Sequence, residues 1–85
     1  MPGIWSPEYR FMVARLRQAR EEAGLSQREV GRQLGRPQSF LSKVESGERR
    51  IDPVELAAFA RLYGKPLDYF LDLPPALTVR TFLAE

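Results

Sequence analysis

Apolar residues recur every three or four positions along most of the chain, and short polar segments rich in glycine or proline separate these stretches. This period is typical of amphipathic α-helices, because residues three and four positions apart share one helix face. No strand pair, internal repeat or low-complexity segment is indicated before Pro75. The pattern therefore predicts an all-α fold of five short helices.

Capping residues predict where three of the helices begin. Ser6, Ser26 and Asp52 have side chains that accept hydrogen bonds from the unpaired N–H groups of a first helical turn. Glu29 and Glu55 follow the last two of these caps by three residues, which is the spacing of a capping box. We expect the first, second and fourth helices to start directly after these caps.

Glycines predict where helices end, because glycine adopts the left-handed conformation of a helix C-terminus at little cost. Gly24, Gly35 and Gly64 follow the first, second and fourth predicted helices. A third helix is predicted from Pro37 to Glu45. A short fifth helix is predicted to open at Pro66.

The predicted core consists of the side chains on the apolar face of each helix. These are Tyr9, Val13, Leu16 and Ala23 in the first helix, Val30 and Leu34 in the second, Phe40, Leu41 and Val44 in the third, Leu56, Phe59, Ala60 and Tyr63 in the fourth, and Leu67, Phe70 and Leu71 in the fifth. Phe40 lies at the flank of its face, where partial burial is favoured over stacking on a base. Phe11 and Tyr69 are expected in the core or at a dimer interface.

Composition excludes several classes of function. The 85 residues suffice for one domain, and they contain no cysteine and no histidine. Disulfide scaffolds, zinc fingers and histidine acid–base catalysis are thereby excluded. The sequence contains no nucleophile–base pair, metal-ligand cluster or phosphate loop, so we expect neither an enzyme nor a cofactor or metal site. With no long apolar run or signal region, we expect a cytoplasmic protein with no membrane partner.

The distribution of charge is more informative than the net charge of +2. Residues 8–50 carry ten basic and six acidic side chains, whereas residues 51–85 carry three basic and five acidic ones. Eleven of the thirteen cations are arginine. A basic front half on an acidic back half suits a protein that meets a polyanion with one face, although a mixed, solvated surface is an equal alternative on charge alone.

The predicted third helix has an unusual polar face. On a helical wheel, Ser39, Ser42 and Ser46 lie on its outward side, Gln38 and Lys43 flank them, and Glu45 lies at the edge. A helix face meant only for solubility usually carries long charged side chains, often in Glu/Lys pairs. A short, polar face without acid can instead approach base edges in the major groove of DNA.

The segment QREVG at residues 27–31, followed by Gly35, Leu41 and Val44, resembles the helix-turn-helix motif of the Cro/repressor class, also called the xenobiotic-response-element family. Three flanking stretches resemble that family too: LRQAREEAGLSQ from residue 16, SKVESGERRID from residue 42 and LYGKPLDYFL from residue 62. In the family, the small residue at Gly31 packs the first motif helix against the second.

This resemblance implies a compact five-helix bundle like the DNA-binding domain of the lambda repressor. The expected organisation is an N-terminal arm at residues 1–5, a DNA-binding domain at 6–73 with the motif at 27–45, and a C-terminal arm at 74–85. That last arm is apolar enough to be a dimerisation segment, and an arm folded back on its own domain is the alternative. Trp5 could pack on the body or on a partner.

The resemblance also implies roles for individual residues. The positions that read base edges would be Gln38, Ser39, Ser42 and Lys43. The phosphate-binding positions would be Gln27, Arg28, Arg36, Ser46, Arg49 and Arg50. Arg20 and Glu45 match a pair that forms a structural salt bridge between the first and third helices. Glu48 and Pro37 depart from the family pattern, since an acid weakens contact with phosphate and proline has no N–H to donate.

We therefore expect a sequence-specific regulator of transcription that binds double-stranded DNA, as a homodimer on an inverted-repeat operator. The third helix would enter the major groove. Repression and activation are both compatible with this expectation. The alternative is a protein-binding module, or an antitoxin-like partner protein, that keeps the same fold.

Overall fold

Five helices follow one another in the computed structural model, which describes residues 6–71. They are α1 (Pro7–Glu22), α2 (Gln27–Leu34), α3 (Gln38–Ser46), α4 (Pro53–Tyr63) and α5 (Leu67–Leu71). No strand occurs within these residues, which confirms the predicted all-α, five-helix fold. The expectations for Trp5 and for the arms at residues 1–5 and 74–85 lie outside the described part of the chain. No helix between residues 6 and 71 is long and apolar enough to cross a membrane.

The three predicted N-terminal caps are present. The Ser6 side chain accepts a hydrogen bond from the backbone of α1. Ser26 Oγ accepts from Glu29 N at 3.0 Å, and Glu29 Oε1 accepts from Ser26 N at 2.8 Å. Asp52 and Glu55 form the same reciprocal arrangement at 2.7 and 3.0 Å. Both capping boxes satisfy backbone donors that would otherwise lack partners in the first turn.

Several predicted helix boundaries need correction by one residue, including the end of α3 at Ser46 rather than Glu45 and the start of α5 at Leu67 rather than Pro66. α1 ends at Glu22, so Ala23 is its C-cap and is exposed rather than part of the core. Gly24 then takes the left-handed conformation, with φ of +73°. α3 begins one residue later than predicted, because Pro37 is its N-cap in an extended conformation with ψ of 161°.

One apolar cluster forms the core, and all five helices contribute to it. Its buried members are Tyr9, Met12, Val13, Leu16, Ala19, Val30, Phe40, Leu41, Val44, Leu56, Phe59, Ala60, Tyr63 and Phe70.

α5 is the part that differs most from the prediction. Only Phe70 of this short helix is buried, and Leu67 and Leu71 remain 46% and 49% exposed.

α2 and α3 pack closely at Gly31. A Cβ built on this glycine would lie 2.6 Å from the carbonyl oxygen of Arg36 and 3.3 Å from that of Pro37. Real Cβ atoms do not approach backbone at the shorter distance, so the turn would have to move. The turn is also closed by a hydrogen bond of 2.8 Å from Arg36 N to Gly31 O. The joint between the two helices therefore has space only for glycine.

We expect Gly31→Ala to lower the free energy of unfolding by about 2 kcal/mol. Alanine gains about 1 kcal/mol of helix propensity, but a methyl group forced against backbone costs up to about 3 kcal/mol. For a domain of this size, the midpoint of thermal unfolding should fall by about 8–16 °C. Gln33→Ala, at an exposed position of the same helix, is the control and should change stability by less than about 0.5 kcal/mol. A variant as stable as the original chain would contradict the packing argument.

Candidate nucleic-acid interface

The outward face of α3 is polar and carries no acid. Gln38, Ser39, Ser42 and Lys43 are all exposed along it. The opposite face is buried through the apolar side chains of the same helix. Because the opposite side of α3 is buried, these four side chains share one solvent-facing surface, which we call the α3 face.

The carboxylate of Glu45 is turned away from the α3 face by an ion pair. Arg20 Nε and Nη2 donate to the two carboxylate oxygens at 2.7 and 3.1 Å, while Arg20 Nη1 donates to Leu25 O at 2.9 Å. The side chains of Arg20 and Glu45 are only 12% and 6% exposed. Hydrogen bonding to Glu45 raises the pKa of Arg20, and this effect exceeds the opposing effect of burial. The pair joins α1 to α3 with the directionality of a bidentate contact.

Gln27 belongs to the same network. Its Nε2 donates to Glu45 Oε1 at 3.0 Å, so the carboxylate receives donors from α1 and α2 together. Tyr63 lies nearby, and burial raises the pKa of its hydroxyl, with the charge of Glu45 adding to the increase. The side chain of Gln27, expected from the resemblance to bind phosphate, is thus engaged inside the protein, while Arg28 beside it is exposed.

Two arginines near the ends of α3 meet at one carboxylate of α4. Arg49 Nη1 and Nη2 donate to Glu55 Oε1 and Oε2 at 3.0 and 3.1 Å. Arg36 Nη2 donates to Glu55 Oε2 at 3.2 Å. Both guanidiniums also lie over the ring of Phe40, with Cζ 4.3 Å (Arg36) and 4.8 Å (Arg49) from its centroid. We call Arg36, Arg49, Glu55 and Phe40 the flank cluster.

Hydrogen bonding to Arg49 lowers the pKa of Glu55 from its ordinary value of 4.5, against the opposing effect of burial. The backbone N–H of Asp52 and the guanidinium of Arg36 lower it further. Glu55 is therefore a charged acceptor for its cap and for both arginines at neutral pH.

The neighbouring arginines 49 and 50 point in different directions. Arg50 lies over the ring of Tyr9 on α1, with Cζ 4.5 Å from the centroid, and not in the flank cluster. Ser46 Oγ donates to Lys43 O at 3.2 Å and accepts from Glu48 N at 3.4 Å, so it closes the C-terminus of α3. The structure thus brings the guanidinium of Arg49 to that of Arg36 and separates it from the guanidinium of Arg50.

Sequence reasoning missed Glu55 as a part of this region. The sequence identifies it as the acid of a capping box, and the structure adds two ion pairs to that role. No periodic pattern links Glu55 to Arg36, which lies nineteen residues earlier. The only sequence signal for these ion pairs was that one acidic residue, Glu55, lies a few residues after the basic Arg49 and Arg50. Within residues 6–71, no group of three or more histidine, cysteine, aspartate or glutamate residues could hold a metal ion.

A family model described as a helix-turn-helix domain matches residues 12–68, well over half of the chain. No curated protein and no solved structure gives a significant match. The matched range spans α2 and α3 with their connecting turn, the two helices that pack around Gly31. The chain therefore belongs to the helix-turn-helix domain family, which supports a DNA-binding regulator.

We expect Glu45→Ala to destabilise the protein by about 3 kcal/mol, because it leaves the guanidinium of Arg20 without a counter-charge in a largely buried position. The midpoint of thermal unfolding should fall by about 12 °C or more. Glu21→Ala is the matched control, since it removes an ion pair with Arg17 whose side chains are 57% and 66% exposed. That loss should stay below about 1 kcal/mol. Equal losses for the two variants would show that burial does not strengthen the Arg20–Glu45 pair.

The lowered pKa of Glu55 predicts a loss of stability in acid. A carboxyl group whose pKa is lower in the folded state stabilises the protein above its unfolded pKa, and this contribution disappears as pH falls through the folded value. We expect unfolding free energy, measured in urea from pH 7 to pH 3, to decline below about pH 4.5. Glu55→Gln should be less stable at pH 7 and should show a smaller decline. An unchanged acid dependence would contradict a charged role for Glu55.

Proposed function

We propose that the chain is a sequence-specific regulator of transcription that binds double-stranded DNA and belongs to the Cro/repressor class. It would act as a homodimer on an inverted-repeat operator, with α3 in the major groove. The two copies of α3 would then lie about one helical turn of DNA apart, roughly 34 Å.

The observation that carries this proposal is the acid-free α3 face. Gln38 and Lys43 have the donors and acceptors that suit adenine and guanine edges, and the two serines are short enough to allow close approach. Glu45, the acid of α3 itself, is held against Arg20 and does not reach that face. A surface helix meant only for solubility usually carries long charged side chains on its outward face instead.

The surroundings of α3 supply candidate contacts to phosphate. Arg28 is exposed at the start of α2, where unpaired backbone N–H groups favour anions. Arg36 and Arg49 flank the helix in the flank cluster, and Arg50 follows in the same loop. Such contacts position a protein on the duplex, and they make its affinity fall steeply with salt.

A homodimer is supported by apolar side chains that the bundle leaves exposed. Val54 on α4 is 78% exposed, and Leu67 and Leu71 on α5 are about half exposed. A second copy of the chain would cover such surface, and symmetric dimers are the commonest oligomers. The same residues also favour the alternative function, a module that binds a different protein.

We expect Gln38→Ala combined with Lys43→Ala to weaken discrimination between a selected site and random DNA. The site is first obtained by selection from a random duplex library, and the binding of both duplexes is then measured by fluorescence anisotropy. Because each good base contact contributes about 1–3 kcal/mol, the preference should fall by about tenfold or more. An unchanged preference would show that α3 does not recognise the DNA sequence.

Gln18→Ala combined with Arg61→Ala is the control, since it removes an amide and a cation from exposed positions on α1 and α4. This variant should keep the preference of the original chain. Enrichment of an inverted repeat with half-sites about one turn apart would support the dimer. Salt-sensitive binding without enrichment, together with a stoichiometric protein partner in a pull-down, would favour the protein-binding alternative.

A further inference from the structure

The flank cluster joins the two ends of α3 through a residue of another helix. Arg36 lies in the turn before α3, and Arg49 lies in the loop after it. Glu55 in the first turn of α4 accepts hydrogen bonds from both. The turn before α3 and the loop after it are thereby held on one side of the helix.

We propose that Glu55 is a positioning residue for DNA binding, which holds Arg36 and Arg49 in one arrangement so that the two guanidiniums together grip the phosphate backbone beside the α3 face. Glu55 itself does not touch DNA in this proposal. The inference rests on the proposed function and adds a residue that acts through the candidate phosphate contacts.

The arginines keep hydrogen-bonding capacity while Glu55 holds them. The side chains of Arg36 and Arg49 are 41% and 40% exposed, whereas that of Glu55 is 16% exposed. Each guanidinium carries five N–H donors, and Arg36 gives Glu55 a hydrogen bond from Nη2 alone. The carboxylate thus lies behind the two cations, which present their remaining donors to solvent with a net charge of +1 for the three groups.

Phe40 provides a rigid support beneath both guanidiniums. Its side chain is 7% exposed and its ring stacks on Phe59 at 6.2 Å with planes 4° apart. The loop that carries Arg49 is also tied to α3, since Arg49 N donates to Lys43 O at 3.1 Å. Arg49 Nη1 donates in addition to Arg50 O at 2.7 Å. The ring and the carboxylate therefore hold both guanidiniums, and a backbone carbonyl holds that of Arg49 in addition.

Two opposing effects decide the sign of a substitution at Glu55. Removing the carboxylate deletes a negative charge near DNA and raises the net charge of the three groups from +1 to +2, but salt screens this change, so the gain in affinity should be less than about twofold. Removing it also frees two long side chains, and immobilising one such chain on binding costs roughly two- to tenfold in affinity. Loss of order is the larger effect, and Glu55→Gln should weaken binding.

Glu55→Gln is a specific test of the carboxylate charge, because glutamine can still complete the capping box with Asp52. We would measure its affinity for a random 20-base-pair duplex, since phosphate contacts do not depend on sequence. Binding should weaken about three- to tenfold at 100 mM salt. The matched control is Glu29→Gln, which removes the same charge from the same position of the capping box of α2. Glu29 forms no ion pair among the described residues, and its variant should lose no affinity.

A double-mutant cycle separates positioning from a general effect on the fold. In a chain that also carries Arg36→Gln and Arg49→Gln, the further change Glu55→Gln should alter affinity by less than about twofold. A loss that persists without the arginines would show that Glu55 acts through the stability of α4, and it would overturn the proposal. Thermal unfolding of each variant verifies that binding is measured on folded protein.

The outcomes distinguish this inference from the proposed function. If the original chain binds the duplex in a salt-dependent manner and Glu55→Gln binds equally well or more tightly, the positioning role is wrong and the proposed function stands. If the original chain binds neither random nor selected duplexes at any salt concentration, both are wrong. If Glu55→Gln weakens binding in the original chain but not in the chain that also carries Arg36→Gln and Arg49→Gln, the inference is supported.

Discussion

The ion pair between Arg20 and Glu45 determines what α3 presents to solvent. The apolar side chains beneath α3 bury surface without a strong directional preference, so they alone allow the helix some rotation about its axis. The bidentate contact, joined by Gln27, has a fixed geometry and ties the helix to α1 and α2 at once. A rotation by one residue would break three hydrogen bonds and bring a carboxylate toward the polar face. Hydrophobic packing thus holds α3 against the core, and the directional polar contacts of Glu45 set its orientation.

Acidic side chains around α3 follow a common scheme. Glu45 is paired inward with an arginine of α1, and Glu55 is paired with two arginines of adjoining loops. Each carboxylate is bound to cations and turned from the outward face, which leaves the surroundings of the helix basic. Glu48 is the exception, since it is exposed in the loop after α3. The positive character of this side comes from the placement of acids as much as from the number of arginines.

Local signals explain why the sequence predicted so much of the fold. Caps, glycines and a helical period act over a few residues, so they placed all five helices within one or two positions. The errors have two origins: Ala23 falls just past a helix end, and Leu67 and Leu71 lie on a helix too short to bury both. The exposure of the α3 face could be predicted by plotting its residues on a helical wheel. Contact between this face and DNA bases stays a prediction. The links of Glu55 to its arginines could not be predicted, because long-range ion pairs leave no periodic trace.

The four side chains of the α3 face are exposed and take no part in the core or in the ion pairs of residues 6–71. Gly31, by contrast, has no room for any other residue. The two helices, α2 and α3, therefore carry two kinds of position, one tied to folding and the other open to change. Variation at Gln38, Ser39, Ser42 and Lys43 should therefore cost little stability. If these residues read DNA as proposed, a few substitutions would give the same scaffold a new target while the contacts that maintain its shape are retained.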